Sequence, residues 1–128
     1  MHTRLNDLKK GISKKKIKVG VVGLGYVGLP LAIEFAKSGI TVFGVEIDRG
    51  RLAHLERKES YISDVNGREL KKVLKSGKFL PSSSFKVLND ADVVIVCVPT
   101  PLKRKYHPDI SFIKKSVLSI SHNLKKAA

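Results

Sequence analysis

Hydrophobic and polar positions along the chain follow two rhythms, a spacing near 3.6 residues and short unbroken apolar runs. Leu5, Leu8 and Ile12 recur at helical spacing ahead of Lys14-Lys15-Lys16, which predicts a short amphipathic helix within an N-terminal extension, residues 1–16. Ile17-Lys18-Val19-Gly20-Val21-Val22 is rich in β-branched residues and predicts a buried strand. Residues 27–38 predict a helix packing through Val27, Leu31 and Phe35, with Ala32 and Ala36 beside them. Pro30 suits its first turn, where the missing N–H would have no partner anyway, and Gly39 supplies its stop.

The alternation continues downstream. Thr41–Val45 predicts a second strand, running on towards Glu46-Ile47-Asp48. Residues 49–57 predict a short helix, 61–66 a loop, 67–76 a helix closed by Gly77, and Phe85–Leu88 a short strand. Ala91–Val98 is a near-continuous apolar run, the pattern of a central parallel strand covered on both faces, stopped by Pro99-Thr100-Pro101. Residues 109–126 predict a helix capped by Asp109, with Ile110, Ile113, Val117, Ile120 and Leu124 on one stripe. Strand–helix–strand–helix–strand–strand–helix is half of a doubly wound fold, so the expected class is α/β with a Rossmann-type parallel sheet. The last helix demands a further strand to pack on. The sheet is therefore expected to be incomplete at its C-terminal side, and the chain to be the front part of something larger.

A length of 128 residues with 42% hydrophobic content fits one folded domain. The net charge of +14 invites a nucleic-acid reading, but its distribution weakens that. Residues 1–18 carry +6, residues 103–128 another +6, and the stretch 19–102 only +2. Basic ends attract polyanions weakly, and no zinc-finger spacing or RNA-binding aromatic motif accompanies them, so no dedicated nucleic-acid partner is expected. No apolar run reaches the ~20 residues a membrane helix needs. A single cysteine excludes an internal disulfide framework and suits a cytoplasmic setting. His2, His54, His107 and His122 lack metal-ligand spacing.

Gly23-Leu24-Gly25-Tyr26-Val27-Gly28 fits G-x-G-x-x-G between a strand and a helix. In that context Gly23 makes the turn, Gly25 admits a pyrophosphate against the backbone, and Gly28 lets the helix close on the strand. The helix N-terminus, with its unpaired N–H groups, then faces the diphosphate. Glu46 and Asp48 lie 18 and 20 residues beyond Gly28, bracketing the place of a ribose-binding carboxylate. Glu46 is preferred and Asp48 suits a helix cap. A carboxylate there favours NAD over NADP, although Arg49 and Arg51 could soften the discrimination. Cys97 sits among apolar neighbours and reads as core packing, while Val98 and Thr100, at and past the strand's carboxyl end, can reach a cofactor.

GVVGLGYVGLPLAIEFAKSGITVFGVEID, then SYISD, DVVIVCVPTPL and PDIS resemble the nucleotide-sugar dehydrogenases across residues 15–122. The Lys-rich extension, SYISD and CVPTPL are most similar to the UDP-N-acetylglucosamine and UDP-N-acetylmannosamine branch. The resemblance implies an NAD-dependent, two-step oxidation of a UDP-sugar C6 alcohol to a carboxylate, feeding surface polysaccharides, in an enzyme that is a homo-oligomer when complete. It assigns Gly25, Tyr26, Val27 and Gly28 to the pyrophosphate loop, Glu46 to the ribose acid (Asp in most of the family), Arg51 to a cofactor contact and Thr100 to the CVPTP threonine. The family's catalytic cysteine motif and sugar-binding domain belong after residue 128, so the chain alone is expected to bind NAD without oxidising a sugar. A stand-alone nucleotide-binding or regulatory module is the alternative.

Overall fold

The computed structural model describes residues 2–124. Helix α1 (His2–Ser13) leads into β1 (Lys18–Val22), α2 (Gly28–Lys37), β2 (Thr41–Val45), α3 (Arg49–Glu56) and α4 (Gly67–Lys75). Strand β3 (Phe79–Ser82), a 3₁₀ turn (Phe85–Asp90), β4 (Val93–Val96), a short 3₁₀ turn (Arg104–Tyr106) and α5 (Ser111–Asn123) follow. The strands form one parallel sheet in the order β3-β2-β1-β4. That is the expected Rossmann-type architecture, with β1 flanked by β2 and β4 and the chain reversing its winding direction there.

Two apolar clusters hold the layers together. On one face Val19, Val21 and Val42 pack with Leu29, Ala32, Ile33 and Ala36 of α2 and with Leu70 and Val73 of α4. On the other, Val22, Val45, Leu88, Ala91 and Ile120 join the 3₁₀ turn to α5. Within α2 the buried stripe is Leu29, Ala32, Ile33 and Ala36; Val27 is 55% exposed. The predicted stripe through Val27, Leu31 and Phe35 is thus rotated, because the glycine loop presses the small-residue side of α2 onto the sheet. In α5 the buried positions are Ser116 and Ile120, while Val117 and Leu124 are exposed, and residues 125 and 126 of the predicted helix lie outside the described residues. Asp109 accepts from the Ser111 N–H at 2.9 Å ahead of that helix.

Two strand expectations are corrected. Phe85–Leu88 is a 3₁₀ turn, entered through Ser84, whose hydroxyl accepts from the Lys86 N–H. Phe85 and Leu88 are three apart, so this winding puts both on the apolar cluster, where a strand would split them across two faces. The pairing strand is Phe79–Ser82, whose Pro81 masks it in the sequence and is tolerated because β3 lies at the sheet edge. Of Ala91–Val98 only Val93–Val96 pairs; it lies, among the described residues, at the other edge and is half-buried. Its two faces nevertheless serve the two clusters, Ile95 and Cys97 one, Val94, Val96 and Val98 the other. Helix α1 docks through Leu8, leaving Leu5 and Ile12 exposed.

Phe79 is 1% exposed and the bulkiest fully buried side chain, so the overlooked strand carries a central packing element. Phe79→Ala is expected to destabilise the domain by about 3–5 kcal/mol, read as a lowered urea midpoint at an unchanged slope.

Candidate functional site

The turn from β1 into α2 is tighter than any side chain allows at two positions. Gly23 has φ +94°, and a Cβ there would lie 2.6 Å from the Cys97 carbonyl oxygen. A Cβ on Gly28 would lie 1.7 Å from the Gly23 carbonyl oxygen. Main-chain hydrogen bonds fix the entry: Gly23 N–H to the Val45 carbonyl at 2.8 Å, and Cys97 N–H to that of Val22 at 2.7 Å. The first N–H of the helix to find a main-chain acceptor is that of Leu29, on the Gly25 carbonyl at 2.9 Å. Those of Tyr26, Val27 and Gly28 take no main-chain acceptor among the described residues, which leaves a helix N-terminus with donors available to an anion.

This turn floors a cleft of about 980 Å³ at the carboxyl ends of β1, β2 and β4, within the roughly 300–1,000 Å³ of small-molecule sites. Gly23, Gly25, Tyr26, Val27, Glu46, Asp48, Arg51, Val98 and Thr100 all line it, while Gly28 is buried behind the loop. Tyr26 and Ile47 stand 80% and 69% exposed on the rim, apolar surface that a ligand seated here would cover. Phe85 of the 3₁₀ turn and Phe112, Ser116 and Ser119 of α5 also line the cleft. Sequence reasoning missed these four. The α5 trio recurs at i, i+4 and i+7, a second helical stripe beside the hydrophobic one, and that spacing was its available signal.

Glu46 is 5% exposed, and its carboxylate collects four donors. Oε1 accepts from the Leu24 N–H at 3.2 Å and from Arg51 Nη1 at 3.1 Å; Oε2 accepts from the N–H groups of Ile47 at 2.9 Å and Asp48 at 3.2 Å. A carboxylate buried here is stable because its lone pairs are met. Strand β2 ends at Val45, so Glu46 and Asp48 follow the strand and do not continue it. Asp48 instead caps α3, accepting from the Arg51 N–H at 3.0 Å. Arg51 returns over the glycine loop, where its Nη1 would meet a Gly25 Cβ at 3.5 Å.

The remaining candidates divide cleanly. Thr100 is exposed at the cleft mouth, and Val98 is half-buried in its wall. Cys97 is half-buried, and burial pushes its thiol pKa up, away from the thiolate that a nucleophile needs. Among the described residues no three His, Cys, Asp or Glu side chains converge as metal ligands, and no helix is long and apolar enough to cross a membrane.

Comparison with known proteins agrees with this geometry. Residues 17–128 match the UDP-glucose/GDP-mannose dehydrogenase family, NAD binding domain. The chain is 41% identical over 112 residues to the UDP-N-acetyl-D-glucosamine 6-dehydrogenase of Pseudomonas aeruginosa, covering 88% of this chain and 26% of that protein. Among solved structures it is similar to the UDP-N-acetyl-mannosamine dehydrogenase of Staphylococcus aureus, at 38% identity and a TM-score of 0.78, over 85% of this chain and 26% of that one. The UDP-D-ManNAc dehydrogenase of Pyrococcus horikoshii aligns at 33% identity with a TM-score of 0.79, over 84% and 26%. The chain thus spans about a quarter of the length of the relatives it matches. The chain belongs to the UDP-glucose/GDP-mannose dehydrogenase family, as its NAD-binding domain.

Proposed function

We propose that this chain supplies the NAD site of a UDP-N-acetylhexosamine 6-dehydrogenase, acting in the cytoplasm in the formation of sugar acids for surface polysaccharide. The observation that carries the reading is the meeting, in one cleft, of the open α2 N-terminus and the buried carboxylate of Glu46. NAD, when bound, accepts the hydride taken from the sugar's C6. The chain's own residues bind and orient. The amides of Gly25 to Gly28 face the pyrophosphate, Val98 and Thr100 bound the cleft on the β4 side, and Glu46 accepts from the ribose hydroxyls. Of the four donors on Glu46, three belong to the main chain and one to Arg51, whose side chain is 41% exposed. Arg51 is therefore the donor able to give way to a ribose hydroxyl. The same carboxylate repels a 2′-phosphate, so the cleft favours NAD over NADP.

Titration calorimetry of NAD and NADP against the wild type and Glu46→Ala tests the assignment. Loss of a charge-assisted hydrogen bond, about 1.5–3 kcal/mol, predicts roughly 10- to 100-fold weaker NAD binding and a narrower gap to NADP. Unchanged NAD affinity would transfer the ribose role to Asp48. In the second experiment the 128-residue chain is given NAD and UDP-N-acetylhexosamines, and no NADH is expected, because the chain spans only about a quarter of the length of the relatives it matches. Measurable NADH would show that this stretch carries the catalytic groups itself.

A further inference from the structure

The SYISD loop has no part in the binding scheme above, yet its tyrosine touches that scheme at two points. The Tyr61 hydroxyl donates to the Leu24 carbonyl oxygen at 2.5 Å, and the Tyr61 ring lies 5.8 Å from the Arg51 guanidinium carbon. Leu24 is the fully buried residue between Gly23 and Gly25, and its N–H is already on Glu46 Oε1. Both main-chain polar groups of Leu24 are therefore anchored from outside the loop, one by the acid at the end of β2 and one by the phenol.

The peptide joining Leu24 to Gly25 is planar and trans, so its C=O and N–H point in opposite directions. A phenol that fixes the Leu24 carbonyl thereby fixes the Gly25 N–H, and Gly25 lines the cleft. We propose that Tyr61 is a positioning residue of the NAD site, its hydroxyl setting the Leu24–Gly25 peptide of the pyrophosphate loop and its ring keeping Arg51 beside Glu46. This deepens the NAD reading of the cleft and rests on it. Burial, with the Glu46 carboxylate adding to it and Arg51 opposing, pushes the phenol pKa up, so the hydroxyl remains a donor throughout the neutral range. The attraction between a guanidinium and an aromatic ring gives Arg51 a resting place that an aliphatic side chain would not provide.

The two parts of the side chain are separable by substitution. Tyr61→Phe keeps the ring and removes the donor; Tyr61→Leu removes both. Calorimetric titrations of NAD, ADP and adenosine, with thermal melting of the ligand-free chains alongside, read the difference. Tyr61→Phe is expected to bind NAD and ADP about 5- to 10-fold more weakly, the loss of one positioned hydrogen bond. Adenosine, which has no pyrophosphate, is expected to bind both proteins alike. Tyr61→Leu, by releasing Arg51, is expected also to raise the affinity for NADP relative to NAD. Equal NAD affinity in wild type and Tyr61→Phe overturns the proposal, as do equal losses for all three ligands, which mark a general loosening of the domain. Failure of Tyr61→Phe to fold overturns it too, because the hydroxyl would then serve stability. A wild-type chain that does not take up NAD defeats the reading of the cleft itself, an outcome distinct from wild-type binding that Tyr61→Phe leaves intact.

Discussion

The closeness of α2 to the end of β1 governs what the rest of the molecule can do. The helix begins against the carbonyl of Gly23, a space in which even a methyl group would collide, and the loop behind it rests on the backbone of Cys97. Moving the helix outward by the thickness of one side chain would lift its N-terminal amides away from the carboxyl end of the sheet. It would also pull Leu29, Ala32 and Ala36 off the strands they cover. Binding and stability thus share one contact, and a sequence that relaxed it would lose both.

Around that contact the chain has built a brace from three separate segments. Glu46 follows β2, Leu24 lies in the turn after β1, and Tyr61 comes from the loop after α3, so the brace exists only in the folded chain. The Glu46 side chain carries its carboxylate across to the Leu24 N–H. Because all four acceptor positions are filled without ligand, the acid is stable while buried, and the exposed Arg51 is the component that can be exchanged.

Much of this was legible in the sequence, for definite reasons. Strands β1 and β2 announce themselves by β-branched runs with nothing to compete against them, and the glycine spacing fixes the turn between β1 and α2. Asp48 as a cap was readable from its place ahead of a helical stretch. Tertiary choices were less visible. Phe85 to Leu88 has strand-forming composition, but the three-residue interval between its two large apolar groups matters more once a single face is available to bury them. Phe79 to Ser82 was hidden by its proline, whose acceptability depends on being at the margin of the sheet, a fact no local window contains. The orientation of α2 was likewise decided by how near it stands to the strands, which favours alanines over the larger residues on its neighbouring stripe.

Pro81 has a further consequence for how the sheet can grow. Val42 and Glu46 of the β2 segment donate to the carbonyls of Lys78 and Ser82, so the even-numbered positions of the outer strand turn their polar groups inward and Pro81 turns outward. The outer flank of that strand consequently lacks a donor at its midpoint, and an incoming polypeptide would find the hydrogen-bonding template interrupted there. Recruitment of additional strands is thereby discouraged at the β3 margin, giving the layer one guarded flank.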